Sequence, residues 1–400
     1  MLRKFLLQAS GLVWLLSAAC CSRPEMAKTL ACDLETSGAQ LKAMAAAYYD
    51  NSTTFPRSWA EGEYLDKPYS DWTCGFFPGS LWLFYEMSGK EEYASLARHY
   101  TEKVKEAPFY THTHDLGFMV MNSYGKQYAS DKDSTAKAAV IQASKSLAAR
   151  FDPQIGAIRS WDFGAWNYPV IIDNMMNLEM LFVASELTGD PHFREIAIKH
   201  ADTTLENHFR DDASSWHVVS YNDDGSVESK GTFQGYGPNS RWARGQAWGL
   251  YGYTLCHRFT AEERYLAQAQ RIAEMIMQDV KTEDAIPYWD YDAPGIPAES
   301  RDASAAAITA SALLELQGMV GAEDSRRYQD YAKKILSSLS GPVYLAKPSE
   351  NGCFILKHST GAAPFASEID VPLNYADYYF LEAIQRYAAL QKIDTKTLIN

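Results

Sequence analysis

The sequence predicts an all-α (α/α)6 toroid, six αα-hairpins in a closed barrel, with a small β-hairpin insertion near the mouth. Three observations predict it. An amphipathic helix template recurs along the chain. A more uniformly apolar segment and a short polar turn precede each copy. Polar or charged residues gather at the same point ahead of each apolar segment.

Taken in chain order, residues 1–20 ("MLRKFLLQASGLVWLLSAAC") give a basic start, an apolar run and small residues up to Ala19, the pattern of an export signal. Cys20 directly after "LSAA" suits lipoprotein processing, so a periplasmic protein with an acyl anchor at Cys20 is expected. Residues 21–36 read as a flexible segment, and 37–392 as one domain, since no Ser/Gly/Pro-rich linker interrupts them. The net charge of −13 speaks against nucleic acid or a long polyanion lying across the surface and leaves room for a short anionic ligand held by one or two arginines. The later cysteines lack CxxC spacing and read as packing residues.

The template, apolar at i, i+3, i+4, i+7 and i+11, starts at Tyr93, Ala136 and Tyr328, and copies from Phe193 and Tyr265 match most of it. Segments such as "GSLWLFYEMSG" and "AAITASALLELQG" are apolar on most of their circumference, so they belong inside, covered by an amphipathic partner. The early "GAQLKAMAAAYYD" and late "NYADYYFLEAIQRYAALQ" supply a sixth pair that joins the chain ends. An open helical array is the alternative. Unequal hairpins and inner helices rich in Trp and Tyr favour the closed form. "SSWHVVSYNDDGSVESKGTFQGY" alternates around an "NDDG" turn and gives the β-hairpin.

If the inner helices run parallel, the polar segments before them converge on one end of the barrel. An Asp there commonly caps its helix, the reading taken for Asp71, Asp302 and Asp370. Asp115 ("HTHDLGFM") and Asp173 ("YPVIIDNMMN") have apolar flanks, and partial desolvation raises a carboxyl pKa towards the range useful for acid catalysis. Capping and catalysis both stay open for this pair. Trp72, Trp82, Trp161, Trp166, Trp242 and Trp248 suit stacking on a sugar or, singly, core packing. Arg244 suits a carboxylate clamp or a salt bridge. His114 and His217 are placed as ligand donors, and the helix-borne histidines as structural. HExxH, EF-hand, P-loop and GxGxxG patterns are absent, so no metal or cofactor is expected.

Together "WTCGFFPGSLWLFYEMSG", "HDLGFMVMNSYG", "YPVIIDNMMNLEMLF", "GTFQGY", "SRWARGQAWGLYGY", "RDASAAAI" and "EIDVPLNYADYYFLEA" resemble glycoside hydrolase family 88, the unsaturated glucuronyl hydrolases, in order across roughly residues 40 to 390. The resemblance implies the same toroid and hydration of the vinyl ether of a 4,5-unsaturated uronic acid at the non-reducing end of short, lyase-generated glycosaminoglycan oligosaccharides. It implies Asp173 as general acid and base and Asp115 as the second essential carboxylate. Trp72, His114, His217, Gln234, Arg244 and Trp248 are implied to meet the substrate, and Ser359, in "HSTGAAPFASEID", the neighbouring sugar. The alternatives are an unsaturated rhamnogalacturonyl hydrolase, against which Gln246 speaks, an epimerase, which would want paired histidines, and a glycan-binding lipoprotein, which has no use for the two acids.

Overall fold

The structure, a computed structural model, describes residues 25–51 and 53–399, so the expected export signal and Cys20 lie outside the described residues. It opens with α1 (Glu25–Tyr48) and a hairpin of β1 (Thr54–Ala60) and β2 (Glu63–Pro68). The first pair is α2 (Phe76–Ser88) with α3 (Glu91–Glu102). Next comes a π-helical turn, Gly117–Gly125, running into α4 (Lys126–Asp131), with α5 (Ser134–Ala148) as its outer partner. After short strands β3 (Phe151–Asp152), β4 (Ala157–Ile158) and β5 (Pro169–Ile171), a 3-10 turn, Ile172–Asn177, leads into α6 (Leu178–Thr188) and α7 (Pro191–Asn207). Strands β6 (Val218–Tyr221) and β7 (Val227–Gly231) follow. The remaining helices are α8 (Ala243–Thr260), α9 (Glu263–Asp279), α10 (Ala303–Leu316), α11 (Ala322–Leu339) and α12 (Asn374–Leu390).

Inner and outer helices divide as their sequences require. α10 buries residues around nearly its whole circumference, whereas α9 buries the single stripe of Tyr265, Ala269, Ile272 and Ile276. The ring closes because α12 packs between α10 and α2. α1 is the sixth outer helix. Tyr93 and Tyr100 of α3 donate to its Gly38 and Ala45 carbonyls at 3.0 and 2.6 Å, and Ser340, just past α11, donates to Asp33 at 2.7 Å. The fold is the (α/α)6 toroid.

Two expectations need correction. Residues 25–36 belong to α1 and are not a flexible segment, because Leu30 and Leu34, one turn apart, are fully buried against the ring. The β-hairpin is antiparallel as expected but gains a third strand, in the order β5-β6-β7, which ties it to the segment that leads into α6. Cys74 and Cys256 are buried packing residues, while Cys32 is exposed. Among the described residues no helix is long and apolar enough to cross a membrane.

One close approach fixes the first two inner helices. A Cβ on Gly75 would sit 2.2 Å from the Phe118 carbonyl oxygen and 2.4 Å from that of Met119, and backbone cannot give way. Gly75→Ala is therefore expected to destabilise the protein by about 3 kcal/mol, the upper range for overpacking, as a lower urea midpoint. An unchanged midpoint would disprove the contact.

Candidate active site

The polar segments converge as the sequence implies. At the end of the barrel where the inner helices begin lies a cavity of about 540 Å³. Asp71 and Trp72 reach it from the segment before α2, Thr113 to Asp115 from that before the π-helical turn, and Asp173 from the 3-10 turn before α6. Gln234 follows β7, Arg244 stands in the first turn of α8, and Ala362 and Phe365 come from the loop before α12.

Asp173 is 8% exposed, and its Oδ2 has no hydrogen-bond partner. Burial pushes its carboxyl up to about 7; Arg244 opposes this, while the like charge of Asp115 adds to it. The buried Trp248 N–H lacks a partner of ordinary geometry yet lies close enough to favour the ionised form. His217 Nε2 faces Asp173 Oδ2 at 3.5 Å. The backbone N–H groups of Phe233 and Gln234 both donate to His217 Nδ1 at 3.1 Å. An Nδ1 that accepts carries no proton, so the ring is neutral with its proton on Nε2, towards Asp173. Burial, then the Arg244 charge, holds the His217 pKa well below its ordinary value, in agreement with that tautomer.

Asp115 is held from two sides. The Thr113 hydroxyl donates to its Oδ2 at 2.6 Å, and His114 Nε2 lies 3.3 Å from its Oδ1. His114 is buried, and desolvation lowers its pKa although Asp115 pulls the other way. The pocket thus holds one carboxyl poised to keep a proton and a second acid whose charge strengthens that hold.

Of the two roles left open for Arg244, the structure shows the salt bridge. Arg244 is 1% exposed, its Nη1 donates to Asp302 at 3.1 Å and to the Thr360 carbonyl at 2.7 Å, and Nη2 donates to the Gly361 carbonyl at 2.6 Å. Its Nε has no partner. The guanidinium lies over Trp242 at 4.4 Å and Tyr375 at 5.3 Å. Gln234 also donates to the Gly361 carbonyl, at 3.2 Å.

The model of Glycosyl Hydrolase Family 88 matches residues 49–390. The chain belongs to glycoside hydrolase family 88. It is 44% identical over 346 residues to an unsaturated glucuronyl hydrolase of Formosa agariphila, covering 85% of this chain and 86% of the relative. To an unsaturated glucuronyl hydrolase of a Bacillus species it is 34% identical, over 81% of this chain and 88% of that protein. A crystal structure of an unsaturated glucuronyl hydrolase specific for heparin superposes with a TM-score of 0.90 at 46% identity, covering 92% of this chain and 99% of that one.

Within this family-88 site, most of the residues expected from sequence are brought together, and some are not. Trp72 lines the cavity, tilted against Tyr375 at 4.8 Å. Trp248 forms the layer beneath it, packed on Phe118 and Tyr379. Ser359 does not reach the cavity. Its backbone pairs with Val371 in both directions at 2.9 and 3.0 Å, which turns its side chain into the protein, fully buried. Asp302 does cap α10, accepting from Ser304 N at 3.0 Å. Asp71 instead closes the turn ahead of α2 by accepting from Thr73, and Asp370 caps nothing, being half exposed and paired with His358 at 2.6 Å. Trp82 is core, and Trp161 lines the cavity. Gln246 is buried away from the cavity and braces the segment that carries His217 into β6, accepting from Ser215 N at 2.8 Å.

Sequence reasoning missed Arg57, Phe163, Phe233 and Phe365, which also line the site. Arg57 lies on β1, which pairs with β2 about the Glu61-Gly62 turn.

Proposed function

We propose that this chain is an unsaturated glucuronyl hydrolase that removes the 4,5-unsaturated uronic acid from the non-reducing end of lyase-generated glycosaminoglycan oligosaccharides. The observation that carries the reading is Asp173: a buried carboxyl at a sugar-sized cavity, its pKa up to about 7, so that it keeps a proton to give at neutral pH. In this reading Asp173 protonates C4 of the alkene, and the charge that develops at C5 and the ring oxygen resembles an oxocarbenium ion, which the Asp115 carboxylate stabilises. Water adds at C5 and returns its proton to Asp173. The resulting hemiketal opens to a ketone, and the hemiacetal left at C1 expels the shortened oligosaccharide. One water is consumed, and the acid is restored. The aromatic lining supports sugar stacking, and the Arg244 guanidinium lines the same cavity as the cation for the uronate carboxylate. In this reading the enzyme works in the periplasm, where lyase products would reach it, anchored at Cys20; the export-signal pattern of residues 1–20 supports this.

The test is loss of the ultraviolet absorbance of the double bond in unsaturated disaccharides from chondroitin, hyaluronan and heparin. A protein that leaves all three unchanged is not this enzyme. Because the proton donor must be protonated in the complex, kcat is expected to fall as pH rises through about 7. A rate that climbs steadily from pH 6 to 9 would rule out Asp173 as the acid.

A further inference from the structure

Capping α10 does not account for an acid at position 302. The Asp302 Oδ1 accepts from the Ser304 N–H at 3.0 Å, from the Ser304 hydroxyl at 2.5 Å and, more loosely, from the Thr360 N–H at 3.5 Å. That oxygen completes the cap, a task for which asparagine or serine serves equally well. The inner helices α2, α6, α8 and α12 begin with no side-chain cap at all. Oδ2 is the atom that asparagine and serine would not supply, and it accepts from Arg244 Nη1 at 3.1 Å. Both side chains are buried, and a carboxylate taken out of water is unfavourable unless a cation answers it. The second oxygen of Asp302 therefore belongs to Arg244 and not to the helix.

Arg244 has other holds. The Thr360 and Gly361 carbonyls take its Nη1 and Nη2 at 2.7 and 2.6 Å, and the Trp242 and Tyr375 rings flank the guanidinium at 4.4 and 5.3 Å. These partners are neutral, burial keeping the Tyr375 phenol protonated. What Asp302 adds to them is a full negative charge, set outside the cavity lining while Arg244 is within it. A guanidinium in the lining acts on two carboxyls at once. It attracts the uronate carboxylate, and it favours the ionised form of Asp173, whose proton the reaction needs. Asp115, from the segment before the π-helical turn, pulls Asp173 the opposite way, and His217, just ahead of β6, faces it as a neutral ring.

We propose that Asp302 is a positioning residue that acts through Arg244: it offsets part of the guanidinium charge from behind, so that Arg244 can hold the uronate carboxylate while Asp173 keeps its proton; this rests on the activity proposed above. In the free enzyme Asp302 answers Arg244, and in the complex the uronate adds a second negative charge. Losing Asp302 is therefore felt more in kcat/KM, which reports the free enzyme, than in kcat.

The experiment records pH profiles of kcat/KM and kcat on an unsaturated disaccharide for the full chain, Asp302→Asn, Asp302→Ser and Ser304→Ala. Asparagine keeps the cap and removes the charge; serine also caps and sets no NH2 against Arg244 Nη1, which keeps the test alive should Asp302→Asn fail to fold. Either should move the alkaline limb of kcat/KM down by at least about 0.5 pH unit, less than a charge in direct contact would, with a smaller shift in kcat. KM at pH 6 should not rise, since the two carbonyls and the two rings still hold the guanidinium. Ser304→Ala disturbs the same helix start without touching the charge, and it should lower the urea midpoint with the limb in place. Folded Asp302 variants with the wild-type limb overturn the inference, whether or not KM rises, and so does a Ser304→Ala limb that moves as far as theirs. A wild type that turns over no unsaturated disaccharide overturns the proposed activity itself, a different result from an unmoved limb.

Discussion

Asp173→Asn is expected to lose about 10⁴-fold in kcat, the upper range for removing a general acid–base group, and to be more stable than the wild type at pH 8. The loss follows from chemistry, since an amide cannot give a proton to an alkene carbon at useful rates. The gain follows from linkage. In the unfolded chain Asp173 ionises near its ordinary value of 3.8, and in the fold near 7. Below about pH 4 both states are protonated and nothing is lost. Between about 4 and 7 the unfolded state releases its proton first, so stability falls as pH rises, and above 7 the full penalty persists. A shift of this size corresponds to roughly 4 kcal/mol. An asparagine, neutral but needing partners of its own, should recover about half of that at pH 8 and nothing at pH 4. Urea unfolding of both proteins at the two pH values reads it directly. An equal midpoint at pH 8 would mean that the carboxyl is solvated in the fold, and the case for it as a neutral-pH acid would collapse even if the variant were inactive. Stability given up at the reacting group is the usual pattern for an active site.

This also explains what the sequence made legible. Asp173 stood out because its neighbours in the chain, Ile171, Ile172, Met175 and Met176, are the groups that desolvate it, so its environment is local and therefore readable. The inner helices were legible for the same reason, since α10 announces its burial by being apolar on every side. Arg57 was not, because its meaning comes from Glu368, far along the chain, and an arginine on a two-stranded hairpin looks like any surface residue. The start of α1 was misread because Asp33 and Thr36 look solvated, yet both are buried; Ser340 supplies the Asp33 partner from beyond α11. Ser359 failed differently: the loop was right, but which face of a single β-bridge points inward depends on Val371, and a shift of one position exchanges the faces. Phe365, six residues on, is the side chain that the loop presents.

The second large effect is expected at Asp115. Asp115→Asn should reduce kcat about 100-fold with little change in KM and should move the alkaline limb of the pH profile to lower pH. The direction follows from the sign of the interaction. The Asp115 charge raises the Asp173 pKa, so removing it makes Asp173 a stronger acid that surrenders its proton to solvent earlier as pH rises. Part of the loss therefore arises because less enzyme carries the proton at pH 7, and activity should recover partially towards pH 5.5. The rest arises because the stabilising carboxylate is gone and because the asparagine reverses one contact: its oxygen can accept from His114 Nε2, but its NH2 must donate to the Thr113 oxygen, whose own O–H loses its carboxylate acceptor. Thr113→Val separates the two contributions, since it removes the hydroxyl that holds Asp115 and leaves the charge. It should lower kcat modestly with the limb almost unmoved. A limb that stays in place in Asp115→Asn would show that the two acids do not sense each other across the cavity, and that Asp115 acts through contact with the substrate alone.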